Sequence, residues 1–309
     1  MSRSPRQGIV LIAVVGLFVA GRLLLKGDGQ TPPRSSRTHG PPIVSLAPSV
    51  TEILFALNVQ DRLVGVTDHC NYPPAASRLA RVGGFGKPNV ERLLALAPEV
   101  VIAAGMERSD VVDALRRSGI RVLDVRINSF AELFEAIRQI GRAVEAPRQA
   151  EAMVVRMQKE LGAVASGCGK SSEGGRPKVF VVIADHPLMT AGAASFLDDV
   201  VAKAGGVNVA RTISQAYPTI NPEEVERWNP DAIVVAPMGP PGAAAGQLAR
   251  QIGWAGIAAV KNGRVIDDID PDLLYRPGPR LIEGVKALAA RLHHTTPADT
   301  RGAAHAACR

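Results

Sequence analysis

A chain of 309 residues has room for two domains of ordinary size or one large one, and an apolar fraction of 46% is enough to build a core. The formal charge of +7 sits largely in the tail, because Arg3, Arg6, Arg22, Lys26, Arg34 and Arg37 all precede residue 40. With aromatics at 4% and no basic stripe interleaved with them, nucleic-acid binding is not expected.

The chain opens like an export signal. A basic start, Ser2-Arg3-Ser4-Pro5-Arg6, leads into the uncharged run 9–20, with Val19 and Gly21 at a tolerable cleavage position. A span wants roughly 20 apolar residues, and this run passes Arg22 before reaching Leu25. Residues 1–26 therefore read as a cleaved signal, with a retained anchor as the alternative. No cysteine follows the run, so a lipoprotein is not expected. Basic residues ahead of it put the remainder outside the cytoplasmic membrane. Residues 27–42 are a glycine-, proline- and serine-rich spacer.

Order is expected from residue 43. A strand at 43–46 runs into a helix whose start reads as a capping box, Ser49-Val50-Thr51-Glu52. The strand RLVGVT follows. Helices at 90–96, 110–117 and 130–144 then alternate with strands at 100–104 and 121–125, the pattern of a parallel α/β lobe over 43–145. Met153, Val154, Met157, Leu161 and Val164 recur at helical spacing in a long connecting helix, 146–166. The run after it contains Gly169-Lys170-Ser171, but Val164 stands where a phosphate loop needs its first glycine. A second α/β series fills 177–294. It takes in KVFVVIA, a helix capped by Ser195 and closed by Gly205-Gly206, DAIVVA, a helix AGQLARQIGW, GRVIDDI and a closing helix. Residues 295–309 read as a frayed tail.

One cadence occurs twice. NVERLLALAPEVVIA from Asn89 and NPEEVERWNPDAIVV from Asn221 align without a gap at an offset of 132 residues, matching Glu91 with Glu223 and Pro98 with Pro230. The fold class that follows is α/β, two Rossmann-like lobes joined by a single long backbone helix. Asn89 and Asn221 suit N-caps, and a carboxylate in the first turn complements the helix dipole. Paired between lobes, Glu91 and Glu223 also suit a two-fold partner with basic pockets. Six residues ahead of each stands a loop aromatic, Phe85 and Tyr217. Singly each reads as a packing plug; as a pair they suit a clamp on a flat ligand.

The segments PPIVSLAPSVTEILFALNVQDRLVGVTDHCNYPP, VGGFGKPNVERLLALAPEVVIA and DLLYRPGPRLIEGVKALA closely resemble the substrate-binding proteins of vitamin B12 and iron-siderophore ABC importers, the helical-backbone metal receptors, and among them the cobalamin-binding members. The likeness runs from about residue 43 to 292. It implies that Glu91 and Glu223 dock onto arginines of a permease dimer served by an ATPase. It implies that Phe85 and Tyr217 stand where corrinoid-binding members carry tryptophans, and His69, near Tyr72, where they carry a pocket tyrosine. Asp272 and Arg276 match polar pocket positions, and His186 a position lining the cleft. The bound species would be cobalamin or another metal chelate, with a ferric siderophore as the second choice and haem as the third, carried as cargo, with no intrinsic cofactor.

At His69-Cys70, imidazole or thiolate is a ligand type for cobalt or iron, so His69 is a candidate axial ligand. The other reading has Cys70 as a small buried hydrophobe and His69 as a polar wall. The three cysteines, Cys70, Cys168 and Cys308, show no CxxC, and a Cys70–Cys168 bridge stays open. No GxSxG or HExxH is present, and Asp267, Asp268 and Asp270 lack the form of a calcium loop, so no enzyme is expected. The competing class is a membrane-tethered sensor or enzyme on the same lobes.

Overall fold

The structure is a computed structural model that describes residues 40–84, 86–105, 107, 109–168, 175–235 and 253–293. The leader, most of the spacer, the glycine-serine run 169–174, most of the expected helix AGQLARQIGW, and the tail lie outside the described residues.

In the first half, β1 (Ile43–Ser45) leads to α1 (Pro48–Ala56) and β2 (Leu63–Val66). Three two-residue strands follow, β3 (Ala80–Arg81), β4 (Gly83–Gly84) and β5 (Lys87–Pro88). Then come α2 (Val90–Ala95), β6 (Val100–Ala103), α3 (Ser109–Arg117), β7 (Arg121–Asp124) and α4 (Phe130–Ala143). The strands form a parallel sheet in the order β3-β2-β1-β6-β7, in which β1 pairs with both β2 and β6. The chain winds outward from β1 on both sides, so the strand order reverses between β1 and β6, and ligands of such sheets gather at the carboxyl ends there.

α5 (Pro147–Cys168) carries the chain onward through 22 residues. The second half holds β8 (Lys178–Asp185), β9 (Leu188–Thr190), α6 (Phe196–Lys203), β10 (Val207–Asn208), α7 (Pro222–Trp228), β11 (Ala232–Val235), α8 (Ala258–Lys261), β12 (Val265–Ile266), α9 (Pro271–Tyr275) and α10 (Leu281–His293). Its sheet runs β10-β8-β11-β12 in parallel, with β9 turned back antiparallel on β8. The repeat now has a structural meaning. α2 leads to β6, which pairs with β1, and α7 leads to β11, which pairs with β8.

Both sheets are covered on both faces, which is why their strands read as near-continuous apolar runs. Alternate residues divide the faces. Val44, Val101 and Ala103 join one cluster with Leu93 and Leu115. Phe180, Ile233 and Val235 join another around Trp254. The remaining faces, through Ile43, Val100, Ile102, Val179, Val181 and Val234, share one continuous cluster with α1, α4, α5, α6 and α10. Met153, Val154, Met157 and Leu161 of α5 are buried within it, as their spacing predicts. Gly141 brings α4 close to α5, since a Cβ there would collide with Ala150. No helix among the described residues is long and apolar enough to cross a membrane.

Candidate functional site

α1 does not begin with a capping box. Pro48 fills its first turn, Ala47 is the N-cap, and no side chain caps it. Glu52 instead turns to the far end of the chain. Its side chain is 2% exposed, and Arg280 grips it through two bonds, Nη2 to Oε1 at 2.7 Å and Nε to Oε2 at 3.0 Å. A carboxylate withdrawn from water needs such a partner, and the planar guanidinium fork fits it. Arg276 Nη1 adds a second cation 3.6 Å from the same carboxylate. Its Nη2 is 2.8 Å from Asp272, and its Nη1 donates to Asn71 Oδ1 at 2.6 Å. Arg280 lies 3.7 Å from the centroid of the Tyr72 ring, in cation–π geometry. Its hydrogen bonds to Glu52 hold the Arg280 guanidinium above its ordinary pKa.

The loop bearing His69, Asn71 and Tyr72 is pinned from beneath. Cys70 is buried, its sulfur 3.2 Å from Thr51 Oγ1 and 3.1 Å from Thr67 Oγ1, and Thr51 Oγ1 is 2.8 Å from Ser45 Oγ. Arg81 Nη1 donates to the Thr67 and Cys70 carbonyls at 2.7 and 3.0 Å. The neighbours thus point apart, Cys70 inward and His69 to the surface. Cys70 is a free thiol, so the Cys70–Cys168 bridge does not form. The Asp68 N–H donates to the Gly83 carbonyl at 2.9 Å, tying this loop to the β4–β5 hairpin. Phe85 lies outside the described residues.

On the other side, the segment bearing Tyr217 is laced along β9. Thr190 N–H donates to Pro218 O at 3.1 Å and Ile220 N–H to Leu188 O at 3.0 Å. Tyr217 is left half exposed, yet buried enough to raise its phenol pKa. Burial raises Tyr275 further, with an electrostatic contribution from Tyr217, and Tyr275 donates to Val182 O at 3.4 Å.

The expected residues therefore divide. Tyr72, Asp272 and Arg276 meet in one network; His69 stands two residues from Asn71; Tyr217 acts electrostatically on Tyr275, next in sequence to Arg276. His186 is exposed at the β8–β9 turn, with Asp185 4.0 Å away, and joins no part of the network. Glu91 and Glu223 are exposed in the first turns of α2 and α7, with no ion pair among the described residues. Asn89 caps α2 through the Arg92 N–H at 2.9 Å. Asn221 does not cap α7 with its side chain; the Glu224 N–H donates to the Asn221 backbone carbonyl at 3.0 Å.

Sequence reasoning missed Glu52, Asn71 and Arg280. Two signals were present. Glu52 is a lone acid in a helix whose neighbours are apolar, and a buried acid demands a cation. The RPGPR run offers two arginines four residues apart around a rigid turn. Among the described residues no group of three or more His, Cys, Asp or Glu is arranged to hold a metal ion.

Two α/β lobes sharing a long helix, with a charge-paired, tyrosine-flanked junction beyond their strands, define a two-lobe binding protein. The known proteins agree. The family model described as periplasmic binding protein matches residues 43–272. The uncharacterized ABC transporter substrate-binding lipoprotein YvrC of Bacillus subtilis (strain 168) is 35% identical over 259 residues, 82% of this chain and 80% of its own. The vitamin B12-binding protein of Salmonella typhi is 28% identical over 254 residues, 82% of this chain and 90% of its own. A solved periplasmic heme binding protein from Pseudomonas aeruginosa superposes with a TM-score of 0.72 at 29% identity, covering 83% of this chain and 96% of its own. The chain belongs to the periplasmic binding protein family.

Proposed function

We propose that the protein is an extracytoplasmic solute receptor that captures a metal chelate between its lobes and delivers it to an ABC permease dimer with its ATPase. Corrinoid is the first choice of cargo. The observation that carries this choice is the charge balance at the junction: Glu52 and Asp272 already pair with Arg276 and Arg280. Such a floor offers hydrogen bonds without net charge, which suits an amide-rich chelate better than a strongly anionic one. Tyr72 and Tyr217, with Phe85, would cover its apolar faces. His69 would wall the pocket or reach the metal, His186 would border it, and Asp272 and Arg276 would meet its polar rim. Binding and release need no covalent step, so no enzyme activity is assigned.

Haem is the second reading, favoured by the likeness to the heme binding protein of Pseudomonas aeruginosa; a ferric siderophore is the third. The N-terminal segment, cleaved or retained, would bring the receptor to the outer side of the cytoplasmic membrane. Calorimetric titration of the full chain in mild detergent with cyanocobalamin, hemin and a ferric hydroxamate siderophore separates these readings. Saturable one-to-one binding of cyanocobalamin is expected. Binding of hemin or the ferric chelate alone would keep the receptor role and replace the cargo. No binding by any of the three would sink the reading.

A further inference from the structure

We propose that Glu52 is a positioning residue for ligand capture, an internal latch that fixes Arg280 beneath Tyr72 and Arg276 against Asn71 and so sets the spacing of the two halves of the site. The affinity part of this proposal rests on the receptor reading above; the latch itself does not.

Glu52 belongs to α1, directly after the first strand of the first sheet, whereas both arginines follow β12, the last strand of the second. The bond joins residues 228 apart in sequence. α5 is the covalent link between the halves, and the Glu52–Arg280 pair is a charged link beside the shared apolar cluster and the Phe130 N–H bond to Asp199. The contact is close as well as charged. A Cβ on Gly278 would stand 3.5 Å from the Ser49 carbonyl and 3.6 Å from Glu52 Oε2, so the turn between the arginines lies flat against the start of α1. Behind that turn, Gly284 lets α10 pass the Leu273 carbonyl, a contact any side chain there would break.

A pair that served folding alone could be replaced by apolar packing with little loss. What sets this one apart is the use of the arginines' remaining surface. Each cation that Glu52 holds also touches the loop over residues 67–73: Arg276 bonds Asn71, and Arg280 faces the Tyr72 ring. Tyr72 is one of the few large apolar side chains exposed among the described residues. Held by a cation that is itself held by a buried carboxylate, it keeps one orientation before any ligand arrives, and that preorganisation lowers the ordering cost of binding.

Three variants of the full chain test the latch: Glu52→Gln, Arg280→Gln and the double substitution. Arg280→Lys, which keeps the charge but forfeits the two-pronged geometry, replaces the glutamine variants should they not fold. Hydrogen exchange and cyanocobalamin titration are read on each, with hemin or the ferric hydroxamate substituted if that is what the parent binds. Exchange should quicken about tenfold in peptides covering 67–73 and 276–281, with β6, β8 and α5 unchanged. Affinity should fall about tenfold or more. The double variant should be no worse than the poorer single, since both remove one contact. Quickened exchange throughout α1 and the first sheet would reduce the pair to fold support and overturn the proposal. Unchanged affinity in a variant whose loop has loosened would overturn it too. If the parent binds none of the three chelates, the receptor reading fails while exchange still judges the latch: local, non-additive loosening upholds it and unchanged exchange refutes it.

Discussion

Tyr72 and Tyr217 stay partly in solvent at 42% and 45% exposure, outside the buried core. Truncating a ring that the core does not need costs the fold little, so its effect should fall on binding. Tyr217→Ala is expected to weaken cyanocobalamin binding by about 1–3 kcal/mol while the melting temperature holds, and an unchanged titration would remove Tyr217 from the site. The acids of α2 and α7 should behave oppositely. Glu91→Ala with Glu223→Ala should leave chelate affinity in solution intact and abolish uptake in cells; uptake at the parental rate would refute the docking role. Tyr217, Glu91 and Glu223 could be singled out from the chain alone because each stands at a place that recurs at the 132-residue offset, whereas Tyr72 was named only beside His69 through the resemblance. Glu52 was misread because its neighbourhood fits a helix start while its partner lies more than two hundred residues away.

The helix–turn–strand unit that occurs twice closes both times on a left-handed residue, Ala97 at φ 46° and Asn229 at φ 44°. Asparagine tolerates that region and alanine does not, at roughly 1–2 kcal/mol for an ordinary residue. Ala97→Asn should therefore stabilise the protein by about 0.5–1 kcal/mol, seen as a raised denaturation midpoint. A lowered midpoint would mean that the methyl group matters more than the backbone. Between α4 and α5, Arg138 grips Glu151 at 2.8 and 3.1 Å, and its hydrogen bonds hold that carboxyl below the ordinary value of 4.5. A depressed folded pKa contributes stability above the unfolded value and loses it as pH falls through the folded one. The melting-temperature gap between the parent and Glu151→Gln should thus be small and steady at neutral pH and close below about pH 4.5. A gap that widened in acid would contradict this assignment.

The two sheets share one apolar cluster through α5, α6 and α10, which leaves little for the lobes to slide on. Bending α5 would break its i to i−4 bonds, and the Glu52 contact also ties the halves. Opening and closing should consequently be small. Small-angle scattering of the full chain with and without saturating cyanocobalamin should give radii of gyration within about 1 Å. A change of several ångström would show that these ties do not hold.

The α/β class, the long helix and the pairing of Glu91 with Glu223 were legible in the chain because they depend on local periodicity and on a repeat, both of which survive in one dimension. Asp272 and Arg276 were legible only through resemblance. The meeting of Arg276 with Asn71 and Glu52, and of Arg280 with Glu52 and Tyr72, was decided by tertiary structure, as was the turning of Cys70 inward beneath His69. The physical reason is common to both. A buried charge or thiol is settled by whichever partners the packed lobes bring within about 3 Å, and those partners come from strands and turns that sequence order keeps far apart.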